Sequence, residues 1–428
     1  MLYIKFHISS GNKKVFYASF FFTQKKQMNL KCFLFFLLSA SSFSMLTAQT
    51  DFNTVVNKFD SSKERDLKDV FRKKGKVVSV EEQSSKKYQF SFVPALGYTL
   101  QTGFAGIVSA NLAYKTDKNP DTKLSSITTS FTYSQYNQSI VPLQADIWTK
   151  DNKYNIVSDN RFIQYPSDIY GLGGRTDPNK GVTINFSGLK LHETVLRAVN
   201  KDLYLGLGFY FDKFWDIYAI DTLKKRTALR FNNTVGTKEI ASGLAFKVLY
   251  DNRLNQLNPS KGTYANIVYR PSFTFMGSQT NWQSLLLDIR EYLTFPKNSH
   301  NVFAFWSLNW LTTGGAPPYL LLPSTGWDDQ YNSGRGYIQG RFRGDNMYYF
   351  ETEYRYRISR NGLFGGVVFA NAEKFSGEIS KQFNSIAPGY GVGLRMKLNK
   401  FSGANLCVDY GFGENGSRGF FVNLGEVF

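Results

Sequence analysis

The chain has little cysteine, histidine and proline for its length. Its 428 residues include only 2 Cys, 3 His and 12 Pro. Two cysteines cannot build a disulfide framework, and so few cysteines and histidines do not reach the ligand count and spacing of a zinc site. We therefore expect neither a disulfide framework nor a metal, and no motif indicates a cofactor.

Long hydrophobic runs are also missing from most of the chain. After residue 48 no segment approaches the roughly 18 to 20 consecutive apolar residues that a membrane-spanning helix requires. The sequence therefore argues against a helical membrane protein.

Catalytic motifs are absent as well. After residue 48 the histidines are His192 and His300, and the chain contains no Gly-x-Ser-x-Gly and no His-Glu-x-x-His. We therefore expect no enzymatic activity.

Positive charge is abundant, with 51 Lys and Arg against 33 Asp and Glu and a formal net charge of +18. The basic residues are spread through strand-like segments and do not form one stripe or tail, which argues against nucleic-acid binding. A basic lumen, or contact with anionic lipid and lipopolysaccharide head groups, fits this distribution better.

The first part of the chain contains a predicted secretory signal peptide. A basic start at Met28–Lys31, an apolar run at Cys32–Leu38 and a polar region ending in Ala48 are its three parts. We expect translation to begin at Met28, so that 1–27 is an upstream extension, and cleavage to follow Ala48. Cys407 is then the only cysteine of the mature chain.

Residues 49–87 are polar and charged, with at most one short amphipathic helix. They hold too few hydrophobic positions for a domain with its own core. We expect either a periplasmic leader or a plug inside the following domain.

From residue 88 the sequence alternates between apolar and polar positions, as a strand with two unlike faces requires. In 347–358, Tyr348, Phe350 and Tyr354 share one face, and Glu351, Glu353 and Arg355 share the other. The segments have about the 9 to 11 residues that a tilted strand needs to cross a bilayer. Aromatic residues make up 17% of the chain, which suits the aromatic girdles of a membrane barrel.

These patterns predict an all-β fold, a closed antiparallel transmembrane β-barrel over residues 88–428. We count about sixteen strands, with fourteen and eighteen as the neighbouring even numbers. A soluble β-sandwich is the alternative that the secretory signal and the unpaired edges of a sheet disfavour.

The end of the chain predicts the strand that closes the barrel. In Gly419–Phe428 the side chains of Phe420, Leu424 and Phe428 fall on one face. Because an unpaired edge cannot be left in hydrocarbon, we expect this last strand to pair with the first one.

Several motifs, in order, resemble the BamA/TamA superfamily, whose barrel is also called the bacterial surface antigen domain. The main match is Gly334-Arg335-Gly336-Tyr337, followed by 340–346 and by Glu353-Tyr354-Arg355. Three further places agree: Asp251-Asn252-Arg253 in mid-barrel, the opening hairpin at Tyr98–Gly103, and the last two strands from Asp409 to Phe428.

The resemblance implies a sixteen-stranded barrel whose long sixth extracellular loop, here Thr313–Asp345, folds back into the lumen. Arg335 would fasten this loop to the wall, with Gly336 allowing close backbone approach and Tyr337 packing on the wall. By strand alternation, the lumen-facing residues around it are expected to be Glu353, Arg355, Phe369, Asn371 and Glu373. The family has Phe-x-Asp in the thirteenth strand where this chain has Phe369-Ala370-Asn371, so Glu353 or Glu373 would supply the negative charge.

The resemblance also implies a role in outer-membrane protein assembly or export in a Gram-negative bacterium. The partners would be outer-membrane lipid and lipopolysaccharide, client proteins and assembly subunits. Residues 49–87 are too short for the POTRA modules that precede such barrels, which weakens this assignment. A passive pore or structural surface barrel with a basic lumen is the alternative.

Overall fold

Antiparallel strands dominate the computed structural model, which describes residues 64–71, 88–117, 119, 122–220, 226–227, 230–231, 234–235, 237–376, 385–400 and 403–428. The predicted signal peptide and most of 49–87 lie outside the described residues. No helix in the described part of the chain has the length and apolar character needed to cross a membrane.

Sixteen long strands follow one another along the chain, and each pairs antiparallel with the next. They are β1 Tyr88–Thr99, β2 Gly103–Tyr114, β3 Ser125–Ser134, β4 Ser139–Trp148, β5 Tyr154–Gln164, β6 Val182–Ala198, β7 Leu203–Ile220, β8 Lys238–Asp251, β9 Gly262–Ser272, β10 Trp282–Thr294, β11 Val302–Gly315, β12 Asn346–Arg357, β13 Phe364–Phe375, β14 Ala387–Lys397, β15 Asn405–Phe412 and β16 Arg418–Leu424. The predicted transmembrane barrel and its count of about sixteen strands are confirmed.

The connections between the long strands contain shorter elements. The strand Ser167–Ile169 extends the pairing of β6, and Arg226–Thr227, Arg230–Phe231 and Thr234–Val235 lie between β7 and β8. In the part of the chain that the structure describes, the α-helix α1 spans Leu67–Phe71. Single 3-10 turns span Lys150–Asn152, Pro178–Lys180, Thr274–Met276, Tyr319–Leu321 and Glu414–Gly416.

The two faces of the strands differ as the alternation predicts. In β12 the odd-numbered residues Met347, Glu351 and Glu353 are buried in the lumen, whereas Phe350 and Tyr356 on the other face are exposed. Because lipid takes the place of water around the outer face, the exposed aromatic side chains there are the expected surface of a membrane barrel.

The connections alternate between the two ends of the barrel. Those after even-numbered strands define the turn end, and most are short, as at 199–202 and 358–363. Those after odd-numbered strands define the loop end, where the sixth connection, 316–345, is the longest in the described chain. The loop therefore begins slightly later than predicted, because Thr313–Gly315 still belong to β11.

The first and last strands meet without a hydrogen-bonded ladder. Each strand from β1 to β15 pairs with its successor, but no pairing joins β1 to β16 among the described residues. The two ends of the barrel meet where the side chain of Leu100, the residue after β1, covers Gly419 of β16. A Cβ added at Gly419 would lie 2.2 Å from Leu100 Cδ2. The expected pairing of the last strand with the first is wrong in this respect: the barrel is nearly closed, with a seam at β1 and β16.

Residues 64–71 lie against the turn end through acidic side chains. Glu64 bonds to Arg357 at 2.5 Å and to Lys397 at 2.7 Å, and Asp69 bonds to Lys400 at 2.9 Å. The Arg65 amide donates to the Asn361 carbonyl at 2.9 Å. This part of the predicted leader therefore contacts the turns that follow β12 and β14.

We expect Glu64→Gln to release residues 64–71 from the turns. Burial by itself would raise the pKa of Glu64, but hydrogen bonds and positive charge from Lys397 and Arg357 hold it below its ordinary value of 4.5. The contact is thus complete above pH 4.5 and is lost as the pH falls through the lower, folded pKa. At neutral pH the variant should raise trypsin cleavage after the exposed Arg65 about two- to fivefold, the size expected from partly exposed ion pairs.

The matched control is Asp177→Asn, which removes an exposed carboxylate from the loop end. An equal rate of cleavage after Arg65 in Glu64→Gln and in the unaltered chain would show that the ion pairs do not hold the segment.

Candidate functional site

The sixth loop, 316–345, enters the lumen and contacts opposite walls of the barrel. The Glu239 carboxylate of β8 accepts from the amides of Tyr319 and Leu320 at 3.1 and 3.0 Å. On β5, the Arg161 guanidinium donates to the Asp329 carbonyl at 2.6 Å. Backbone groups away from strand ladders need such partners when they are buried, so the wall side chains hold the loop in one place.

Arg335 lies at the centre of the loop and binds three carboxylates. Its guanidinium donates to Glu351 and Glu353 of β12 and to Asp409 of β15. All four side chains are buried, with 1% or less of their surface exposed. A planar, permanently charged fork of donors suits this task, because it can engage carboxylates from two directions at once.

Other charged side chains extend this cluster, which we call the lumen network. Arg395 of β14 binds Asp409 and bonds to Glu426 at 2.8 Å. Arg355 bonds to Glu353 at 2.6 Å. Three arginines thus meet four carboxylates, and pairing on both sides is what makes buried charge tolerable.

Two uncharged side chains of the thirteenth strand, β13, contact Arg335. The Phe369 ring lies under the guanidinium, with its centroid 3.7 Å from Cζ. The Asn371 amide donates to the Arg335 carbonyl at 2.9 Å and to Glu351 at 3.3 Å. A donor is needed at this position because the neighbouring groups are already acceptors.

Gly336 and Tyr337 fix the loop to the end of β15. Gly336 has φ +112°, and a Cβ there would lie 2.6 Å from the Phe412 carbonyl oxygen. Only glycine combines this left-handed conformation with so close an approach. The Tyr337 hydroxyl donates to the Pro388 carbonyl at 2.6 Å and accepts from the Glu414 amide at 3.0 Å.

Two predicted residues behave differently from expectation. Glu373 does not supply charge to Arg335; it accepts from the Thr325 hydroxyl of the loop at 3.0 and 3.1 Å. Phe428 does not share the outer face with Phe420 and Leu424, which are 48% and 53% exposed, but is buried in the lumen at 3%. The strand ends at Leu424, so alternation no longer applies beyond it.

Sequence reasoning missed Glu351, Asp409, Arg395 and Glu426 as partners. The alternation of β12 had placed Glu351 on the lumen face beside Glu353, and the same pattern places Asp409 inward. What the pattern could not give is which lumen-facing acids of β12 and β15 lie close enough to share one arginine of the loop.

We expect Arg335→Ala to lower barrel stability strongly. The change leaves Glu351, Glu353 and Asp409 buried without their shared cation, and removing one partner of a buried pair costs about 3 to 5 kcal/mol. Heat-modifiable migration and the denaturant midpoint of the refolded barrel would measure the loss. Arg197→Ala, which removes an exposed arginine of β6, is the control and should change neither. An unchanged midpoint in Arg335→Ala would contradict the role of Arg335 as the loop's anchor.

We also expect Asn371→Asp to destabilise the barrel, although aspartate is the residue that the family pattern has here. The new carboxylate would lose the donor to the Arg335 carbonyl and lie beside Glu351. Adding Glu351→Gln should recover part of the lost stability, because it removes the like-charge contact. A double-mutant cycle measures that coupling; additive effects of the two changes would argue against it.

Comparison with known proteins rests on structure. No family model matches the chain, and no curated protein matches it in sequence. BamA from Haemophilus ducreyi lacking POTRA domains 1–3 superimposes with a TM-score of 0.51 and 15% identity, over 79% of this chain and 69% of that chain.

Two CdiB structures agree. The protein from Acinetobacter baumannii gives a TM-score of 0.51 and 14% identity, over 80% of this chain and 60% of that one. The protein from Escherichia coli gives a TM-score of 0.51 and 8% identity, over 79% of this chain and 67% of that one. The chain thus spans less than two thirds of the Acinetobacter CdiB. It has the fold of the BamA and CdiB outer-membrane barrels, as the motifs around Arg335 predict.

Proposed function

We propose that this barrel is a non-enzymatic outer-membrane protein that assists the assembly or export of other proteins. Its clients would be unfolded outer-membrane or exported chains, and assembly subunits would be further partners. The observation that carries the proposal is the seam, where β1 and β16 lie together without a ladder.

The physical argument concerns backbone groups in lipid. Every unpaired N–H and C=O in hydrocarbon costs several kcal/mol. A seam without a ladder, where the side chain of Leu100 covers Gly419, presents edges that an incoming strand can pair with. Strand addition of this kind gives affinity through main-chain hydrogen bonds and tolerates many sequences.

The sixth loop supports this function over a passive pore. Contacts from β5, β8, β12 and β15 hold the loop inside the lumen. A barrel plugged in this way should conduct few ions, whereas an open pore needs a continuous channel. Single-channel recording separates the two, and large stable conductance would favour the pore.

A cross-link over the seam tests the proposal. In a background without native cysteines, Leu100→Cys with Gly419→Cys would join the residue just after β1 to β16 through a short bifunctional thiol reagent. We expect the linked barrel to lose at least about tenfold in the rate at which it promotes insertion of a client barrel into liposomes, with recovery after cleavage of the linker.

The control pair is Val108→Cys with Phe131→Cys, which face each other across the existing ladder of β2 and β3. Cross-linking there should leave insertion unchanged. If the linked seam variant still promotes insertion at the normal rate, the seam is not where clients are templated.

A further inference from the structure

The last four described residues leave the barrel wall and turn into the lumen. β16 ends at Leu424, and Gly425 has φ +91°, a conformation that glycine adopts without strain. The Gly425 carbonyl accepts from the Cys407 thiol at 3.1 Å. Val427 and Phe428 then lie 0% and 3% exposed. We call 425–428 the tail.

Glu426 lies among side chains that bind its carboxylate. Its carboxylate bonds to Arg395 at 2.8 Å and lies 3.6 Å from Arg355. The other carboxylate oxygen accepts from the Asn405 amide at 2.7 Å. Two cations and one neutral donor therefore surround this carboxylate, and they favour a negatively charged side chain here.

Phe428 lies among aromatic side chains of the wall. Its ring lies 5.2 Å from the Trp306 ring and 6.2 Å from the Tyr292 ring, measured between centroids. The Arg355 guanidinium lies 5.2 Å from the same centroid and donates to the Phe428 carbonyl at 3.0 Å. Aromatic walls and a cation over the ring favour an aromatic side chain here.

The tail is held by side chains of the wall and by isolated backbone hydrogen bonds, and not by a strand ladder. No strand includes 425–428, so its removal breaks no ladder. Its sides face a lumenal cavity of about 660 Å³, lined in part by Gly425, Glu426 and Phe428. Space beside the tail and a glycine at its first position are the features that an exchangeable tail requires.

We propose that the pocket formed by Tyr292, Trp306, Arg355 and Arg395 is a binding site for peptide segments of the order acidic, aliphatic, aromatic. Glu426–Phe428 is its resident and exchangeable ligand. The pocket belongs to the lumen and not to the seam, so this site is separate from strand addition between β1 and β16.

The test uses the full chain, refolded in detergent micelles, and a dye-labelled Glu-Val-Phe peptide read by fluorescence anisotropy. We expect saturable binding that is about tenfold tighter in Phe428→Ala than in the unaltered chain, because the competing tail is weakened. Glu426→Gln weakens the tail in a second way, should Phe428→Ala fail to fold. Phe420→Ala removes an outward-facing aromatic side chain of β16, and this variant should bind like the unaltered chain.

Cys407 reports on the tail independently. With Cys32→Ala, Cys407 is the only thiol, and its contact with Gly425 shields it. Maleimide should label it faster in Phe428→Ala than in Phe420→Ala, and added Gly-Glu-Val-Phe should slow the labelling again. Binding that is absent, or that is unaffected by both the tail variants and Trp306→Ala, would overturn the proposal.

Discussion

Backbone hydrogen bonding in a medium without water is the constraint on which this architecture depends. Strand ladders join β1 through β16 in sequence order and satisfy the backbone within the wall. Among the sixteen long strands that the structure describes, only the facing edges of β1 and β16, at the seam, lack such a ladder. Because unpaired backbone groups are costly in hydrocarbon, the open edge is the exception to this rule in the wall.

Charge inside the lumen follows from the same constraint. A wall that is apolar outside must place its polar residues inward, and buried ions are tolerable only when they are paired. The lumen network meets this requirement with Arg335, Arg355 and Arg395 against four carboxylates. Because Arg335 comes from the loop and its acids from the wall, satisfying the charges also positions the loop.

The sequence predicted the features that repeat or that lie close together along the chain. Alternation predicted the strands and placed Glu353 and Asn371 inward, and the family resemblance implied the close approach of the loop at Gly336. The sequence could not predict that Arg335 would reach two strands that do not pair with each other, β12 and β15, so Asp409 was missed. It also carried the alternation through Phe428, although the strand ends at Leu424 and Gly425 redirects the chain.

The loop and the seam are mechanically connected through the last two strands. Arg335 binds Asp409 on β15, and Ser417, just before β16, donates to the Gly336 carbonyl at 2.7 Å. Lower in the lumen, Asn332 of the loop donates to the Val427 carbonyl at 2.7 Å and accepts from Asn423 of β16 at 3.0 Å. Moving β16 away from β1 therefore strains contacts with the loop as well as with the tail. β16 and the residue before it are therefore bonded to the loop on the lumen side, so the loop's position and the state of the seam depend on each other.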